Sequence, residues 1–353
     1  MKKVILVTPH MPPTAGGPSI HAKKLLDHFS TAPNPPSQMK GIQISLFNFE
    51  KYKKYPSGIR HLLAFFSIFK KSVGKDTILA LDGFTVALPS IFVGKILRKK
   101  VIIRVGGDFI YEQFLNLKQV DFLNFYKNFN LHKKFFSWKL YLKYLVQKFV
   151  LQNADEIIFN TSWQRNIFQQ HYKLSPKLYV VENPVEAIES KVYENAKVND
   201  SFLEKVNSQK YIFTSITRDI PYKNLKRLKK VFSEMGENYF LETEQGSRES
   251  CLKRISLSRA YICASISDIS PNQVQEALSL KIPIIISKYT GITEYIEKQG
   301  VAKVVDPFDE NDIKNALLEM CDESKYLEYK KNLENFKWPQ TWESLFEQYK
   351  EIL

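Results

Sequence analysis

Cysteine is scarce in this sequence. Its 353 residues hold three, Cys251, Cys263 and Cys321. An odd count without metal-ligand spacing excludes a disulfide framework and a thiolate metal centre, and it reads as reduced thiols in a cytosolic protein. Long apolar runs are missing too. None approaches the roughly 20 residues needed to cross a bilayer, and the longest, GFTVALPSIFVG at 83–94, reads as a buried helix. The opening MKKVILVTPH couples lysines to an apolar stretch, but that stretch is short and no small-residue cleavage site follows, so no secretion signal is expected. Neither GxGxxG nor the Walker pattern occurs, which argues against the folds those motifs mark. No low-complexity tract or internal repeat is visible.

What is present is a globular composition with uneven charge. Hydrophobic residues make up 44% and charged residues 25%, which excludes a disordered chain. The length exceeds one ordinary core and suits two domains. The net charge is +14. Residues 1–185 carry 27 Lys/Arg against 10 Asp/Glu, and residues 186–353 carry 24 against 27. One basic half beside a near-neutral half points to an anionic partner for the first: nucleic acid, an acidic membrane surface or a phosphorylated ligand.

The first half alternates β-branched runs with helical stretches. Strands are expected at VILVTP (4–9), IQISLF (42–47), TILAL (77–81), VIIRV (101–105), EIIF (156–159) and LYVV (178–181). Near-continuous apolar runs of this kind suit parallel strands buried on both faces. Residues 186–210 are polar and read as a linker with some helix. The pattern restarts at YIFTSI (211–216), YFL (239–241), AYICAS (260–265), IPIIIS (282–287) and AKVV (302–305). The fold class is therefore α/β, with two Rossmann-like domains at 1–185 and 186–337. The amphipathic end, 338–353, is expected to pack back on the first domain.

Open α/β sheets bind ligands beyond the carboxyl ends of their strands, so unusual residues there carry the chemistry. After the first strand, PHMPPTAGGPSIHAKKLL places Gly16 and Gly17 ahead of a helix starting near Ser19. That suits an anion or a sugar hydroxyl at a helix N-terminus, or simply a tight turn. In RVGGDFIYEQ, Gly107 would let a substrate approach the main chain and Asp108 would accept sugar hydroxyls; the competing reading is an Asp that caps the next helix. In ITRDIPYKNL, Arg218 and Lys223 form a fork and a point cation at one strand end, which suits a diphosphate or, taken alone, a solvated loop. In KYTGITEYIE, Gly291 and Glu294 follow a strand, and Glu294 also suits the first turn of a helix. The stretch DISPNQVQEALSLKIPIIIS sets Asp268 and Glu276 eight residues apart around a Pro-Asn turn.

In order along the chain, these clusters resemble the bacterial group 1 glycosyltransferases (family 4-like), a retaining set within the GT-B fold. DISPNQVQEA matches the family's paired-acid signature, with Asp268 in place of Glu and with Pro271, Asn272 and Glu276 in register. KIPIII matches its Gly-x-Pro strand, with Lys281 for glycine. TGITE matches Gly-x-x-Glu. TRDIPYK matches Gly-Arg-x4-Lys, with Thr217 for glycine. VVENPV, ADEIIFNTSWQRNIF and the opening Pro-Pro…Gly-Gly loop also match, with Pro184 for glycine in the first. A frequent His-Gly of the family stands here as Val105-Gly106, after Arg104.

The resemblance implies two domains facing across a cleft and transfer of a sugar from a nucleotide-diphosphate-sugar. It implies that Arg218 and Lys223 hold the diphosphate, that Asp268 sits at the donor sugar and that Glu276 binds the ribose. Asn272, Gly291 and Glu294 would sit near the donor, and Gly16, Gly17, Gly107 and Asp108 would sit on the acceptor side. Cations aimed at the leaving diphosphate favour the transition state over the ground state. No DxD pair is present, so no metal or other cofactor is expected. The implied acceptor is a glycan or lipid-linked saccharide of bacterial surface polysaccharide. The implied location is cytoplasmic, peripheral on the inner face of the plasma membrane. The basic-aromatic stretches 51–71 and 125–150 suit an anionic membrane surface, or a core-facing aromatic stripe with solvated lysines. Alternatives are a non-catalytic GT-B relative that binds sugar or lipid, and a nucleotide-sugar epimerase. Nucleic acid, suggested by charge alone, lacks any supporting motif.

Overall fold

A computed structural model describes residues 1–12, 17–30, 41–185, 187–208 and 211–353. Gly16 lies outside them. The chain divides into two compact units: Met1–Phe114 with Phe129–Glu182 and Glu343–Leu353, and Leu115–Asn128 with Asn183–Trp342.

The first unit is built on six parallel strands. They are β1 (Lys2–Thr8), β2 (Ile42–Asn48), β3 (Thr77–Ala80), β4 (Lys100–Val105), β5 (Glu156–Phe159) and β6 (Lys177–Val180), in the order β2-β1-β3-β4-β5-β6. Its helices are α1 (Gly17–Ser30), α2 (Ser57–Ser72), α3 (Ala87–Leu97), α4 (Phe109–Phe114), α6 (Phe129–His132), α7 (Trp138–Asn153) and α8 (Ser162–Tyr172). Between α4 and α6, α5 (Phe122–Lys127) belongs to the second unit. Val4 to Val7 are wholly buried, as a central strand covered on both faces requires. The chain steps from β1 to β2 and then back past β1 to β3. Right-handed crossovers therefore put α1 on one face of the sheet and α2, α3 and α7 together on the other. At GFTVALPSIFVG the helix is α3, which starts at Ala87 because the part-buried Asp82 carboxylate accepts from the amides of Phe84, Thr85, Val86 and Ala87.

The last helix, α16 (Trp342–Ile352), buries Leu345, Phe346, Tyr349 and Ile352 at helical spacing. It packs on the first domain as the amphipathic pattern suggests. Arg104 Nη1 donates to the Tyr349 hydroxyl at 3.1 Å, and His21 Nε2 lies 3.0 Å from the same oxygen. Phe346 stacks on His28 with ring centroids 3.7 Å apart.

The second unit has five parallel strands: β7 (Tyr211–Thr214), β8 (Tyr239–Glu242), β9 (Ala260–Cys263), β10 (Ile284–Ser287) and β11 (Ala302–Val305), in the order β11-β10-β9-β7-β8. Its other helices are α9 (Asp200–Asn207), α10 (Leu225–Met235), α11 (Arg248–Ser256), α12 (Asn272–Ser279), α13 (Thr293–Lys298), α14 (Glu310–Cys321) and α15 (Glu323–Asn335). Alternation along β10 divides its isoleucines. Ile284 and Ile286 join Val274, Leu278 and Ile296 on one face, and Ile285 joins Leu228, Ala316 and Leu317 on the other. Each such side chain contributes about 1.5–3 kcal/mol by burial. The two sheets with flanking helices give the two-domain α/β architecture of the GT-B fold.

Candidate functional site

In the second sheet the strand order reverses between β7 and β9, because β8 lies outside β7 and the chain returns past it. At such a reversal the loops of open α/β sheets diverge, and ligands bind at the carboxyl ends of the two strands. Arg218 and Lys223 follow β7, and Asp268 follows β9.

A short 3-10 turn, Pro221–Lys223, sets Lys223. Proline fixes the first residue of the turn, and Asn224 ends it in the left-handed region at φ 59°. The Asn224 amide side chain donates to the carbonyls of Ala264 (3.1 Å) and Pro307 (2.7 Å), tying together the loops after β7, β9 and β11. Lys223 Nζ pairs with Asp268 Oδ2, both side chains about seven-eighths buried. Burial alone would push the ammonium down. The Asp268 carboxylate outweighs it, with smaller contributions from Cys263 and Tyr222, and holds Lys223 above the ordinary lysine value. The exposed Arg218 joins the cluster through Tyr222: its Nη2 donates to the Tyr222 hydroxyl at 3.3 Å, and Lys223 Nζ lies 5.3 Å from the centre of that ring. Arg218, Lys223 and Asp268 are thus brought together.

Glu276 lies within α12, beyond the Pro271 turn that starts it. Arg248, at the start of α11, holds its Oε1 at 2.8 Å. Both acids act on Tyr261, a buried phenol pushed well above its usual value by burial first and then by the charges of Cys263, Asp268 and Glu276. Its hydroxyl donates to the Ile216 carbonyl at 3.3 Å. Asn272 accepts from Asn183 Nδ2 at 3.2 Å, and Asn183 also reaches Ser270 at 3.4 Å. Sequence reasoning missed Tyr261, Arg248 and Asn183. Tyr261 looks like any strand aromatic, and the other two meet their partners only through tertiary contacts.

Gly291 donates its amide to the Asp268 carbonyl at 2.9 Å, and Asp268 donates its own to the Tyr289 carbonyl at 3.2 Å, so the two loops run as one. Glu294 is not part of the cluster. It is 84% exposed and pairs one helical turn on with Lys298 at 2.6 Å, and that hydrogen bond lowers its carboxyl below the usual value. This is the helix-start geometry the alternative reading anticipated.

In the first unit, Gly17 is the first residue of α1. Gly107 follows β4, where an added Cβ would stand 3.0 Å from a Glu112 carboxylate oxygen. Asp108 is buried; its Oδ1 accepts from the amide of Ile110 (3.0 Å) and from Gln147 Nε2 (3.0 Å). Its side chain thus acts as a cap for α4.

No protein-family model and no curated protein matches this chain. Solved structures do. Sucrose-phosphate synthase from Thermosynechococcus elongatus aligns over 100% of this chain and 98% of its own with a TM-score of 0.67 and 13% identity. HepE from Anabaena, in complex with UDP and glucose, aligns over 100% and 99% with a TM-score of 0.66 and 12% identity. WaaG, a glycosyltransferase involved in lipopolysaccharide biosynthesis, aligns over 99% of both chains with a TM-score of 0.65 and 11% identity. At such identities the likeness establishes the GT-B fold. Among the described residues no helix is long and apolar enough to cross a membrane.

Proposed function

We propose that this chain is a retaining glycosyltransferase that moves a sugar from a nucleoside-diphosphate-sugar to a glycan or lipid-linked saccharide. The observation that carries this reading is the Arg218–Lys223–Asp268 cluster at the strand-order reversal between β7 and β9. In the reaction the bond from the anomeric carbon to the diphosphate oxygen breaks. A bond to the acceptor oxygen forms on the same face, and the acceptor hydroxyl passes its proton to the departing diphosphate oxygen. The departing diphosphate gains negative charge, which Arg218 and Lys223 offset without calling on a metal ion. Asp268 orients the donor sugar and Glu276 the ribose. HepE is solved with UDP, so UDP-sugars are the first donors to try. The role of WaaG in lipopolysaccharide supports a surface-polysaccharide acceptor met at the cytoplasmic face of the membrane.

The test combines two measurements. Nucleotide-sugars are screened for a raised melting midpoint, and nucleoside diphosphate release is followed with candidate acceptors, the product's anomeric configuration being read by NMR. Lys223→Ala and Arg218→Ala should each lower kcat roughly a hundredfold, while Glu276→Ala should chiefly raise KM. A failure of every nucleotide-sugar to shift the midpoint, or turnover indifferent to Lys223→Ala, overturns the reading. The Arg248–Glu276 pair favours one second reading, a non-catalytic sugar-binding relative whose ribose carboxylate is already engaged. Binding without release of nucleoside diphosphate would support it.

A further inference from the structure

Exposed large apolar side chains are distributed very unevenly. Between 183 and 342 only five are exposed among the described residues, and they are scattered. Leu117 and Leu123 are exposed on the second unit's 115–128 segment, and on the first unit most of the exposed residues fall into helical stripes. Along α2, Ile59, Leu62, Leu63 and Phe66 are exposed at positions i, i+3, i+4 and i+7, a single face. Along α7, Trp138, Leu142 and Leu145 repeat the pattern, and along α3 Phe92 and Ile96 do so. These three helices share one face of the sheet, with α3 packed against both α2 and α7. Phe92 and Phe149 stack across the second junction with centroids 5.7 Å apart. A contiguous apolar surface of this kind on a polar protein marks an interaction site.

Charge identifies the occupant. Residues 51–75, 83–107 and 122–154, which contain α2, α3 and α7, hold no Asp or Glu at all. Lys139 lies 5.7 Å from the Trp138 ring, and Lys95 lies 5.3 Å from Phe149. Where α3 meets β4, Lys95, Arg98, Lys99 and Lys100 line a 390 Å³ pocket, closed by Asn153 and Asp155. This pocket lies at the amino end of β4, opposite the strand ends where the sheet binds ligands. A second copy meeting this face with its own would set lysine against lysine. An anionic bilayer complements both the stripes and the cations.

We propose that the outer face of α2, α3 and α7 docks on an anionic membrane, its apolar stripes entering the headgroup boundary and its cations meeting lipid phosphates. This deepens the reading above, since a lipid-linked acceptor would be met on that surface. The experiment uses the full chain without nucleotide or sugar: flotation with phosphatidylcholine vesicles with and without phosphatidylglycerol. Binding is expected to require phosphatidylglycerol and to weaken with salt. Leu62→Ser with Phe66→Ser, or Trp138→Ser with Leu142→Ser, should lower it tenfold or more, and Lys95→Ala should lower it about fivefold. All these side chains are exposed, and circular dichroism checks that the variants stay folded. Failure to float with anionic vesicles overturns the proposal. So does binding unchanged in both apolar variants, or a dimer in sedimentation velocity that those variants dissociate. Because nucleotide is absent, floating without nucleoside diphosphate release sinks only the enzymatic reading, and release without floating sinks only this one.

Discussion

Lys223 and Asp268, 45 residues apart in the chain, pair at the strand-order reversal with both side chains mostly buried. Removing one member of a mostly buried ion pair strands the other. Lys223→Met should therefore cost about 3–5 kcal/mol in urea unfolding. The folded value of Lys223 lies above its free value of about 10.4. Its contribution is thus complete below that pH and is lost only as pH rises through the folded value. The cost of Lys223→Met should be the same at pH 7 and pH 9, and a smaller cost at pH 9 would contradict the assignment. Asp268 and Lys223 were legible in the sequence as a strand-end acid and cation; their pairing was not, because 45 residues separate them. Lys281 occupies a position where the resembled family has glycine, and its φ is 58°, the left-handed region. Its ammonium donates to the carbonyls of Leu333 (2.7 Å) and Phe336 (3.3 Å). Glycine would relieve about 1 kcal/mol of backbone strain but forfeit charged hydrogen bonds of about 1.5–3 kcal/mol. Lys281→Gly should lower the melting midpoint, and a rise would show that strain dominates.

At the scale of elements, period and composition revealed nearly everything regular. All eleven strands stand within two or three residues of the expected segments, because buried parallel strands leave an unbroken β-branched signal. Strand order was not legible, since no local pattern records which neighbour a strand chooses. The last helix was legible as amphipathic, but its anchors were not. His21 and Arg104 meet at the Tyr349 hydroxyl from far upstream. Tyr349→Phe deletes the oxygen they share and should cost about 1–3 kcal/mol by thermal unfolding. Burial, then the charge of Arg104, holds His21 well below its usual 6.5. The unfolded chain therefore binds a proton that the native state refuses. Stability is greatest above pH 6.5 and falls below it, by about 2 kcal/mol from this residue at pH 5. A His21→Gln variant should show a correspondingly shallower loss between pH 7 and 5.

Across the whole molecule, the charge split was plain from residue counts, whereas the face that carries it emerged only once α2, α3 and α7 lay side by side. The thiols extend the sequence reading. Burial pushes Cys251 and Cys263 up, and Cys321 up to about 11. At pH 8 about one Cys321 in a thousand is then thiolate. Native protein should react sluggishly with a thiol reagent and yield three equivalents only after denaturation. One rapidly reacting equivalent would show that a thiol is activated.

Tyr349 serves Arg104 across 245 residues of chain. On a ribosome adding roughly 5–20 residues per second, that is about 12–50 s of waiting. Throughout it the nascent β4 presents a guanidinium whose cover has yet to be translated. Residues 183–342 emerge before that cover, so the later domain is free to mature while the earlier one is still incomplete. Vectorial synthesis here inverts the usual order, and the first domain is completed only after the second has been made.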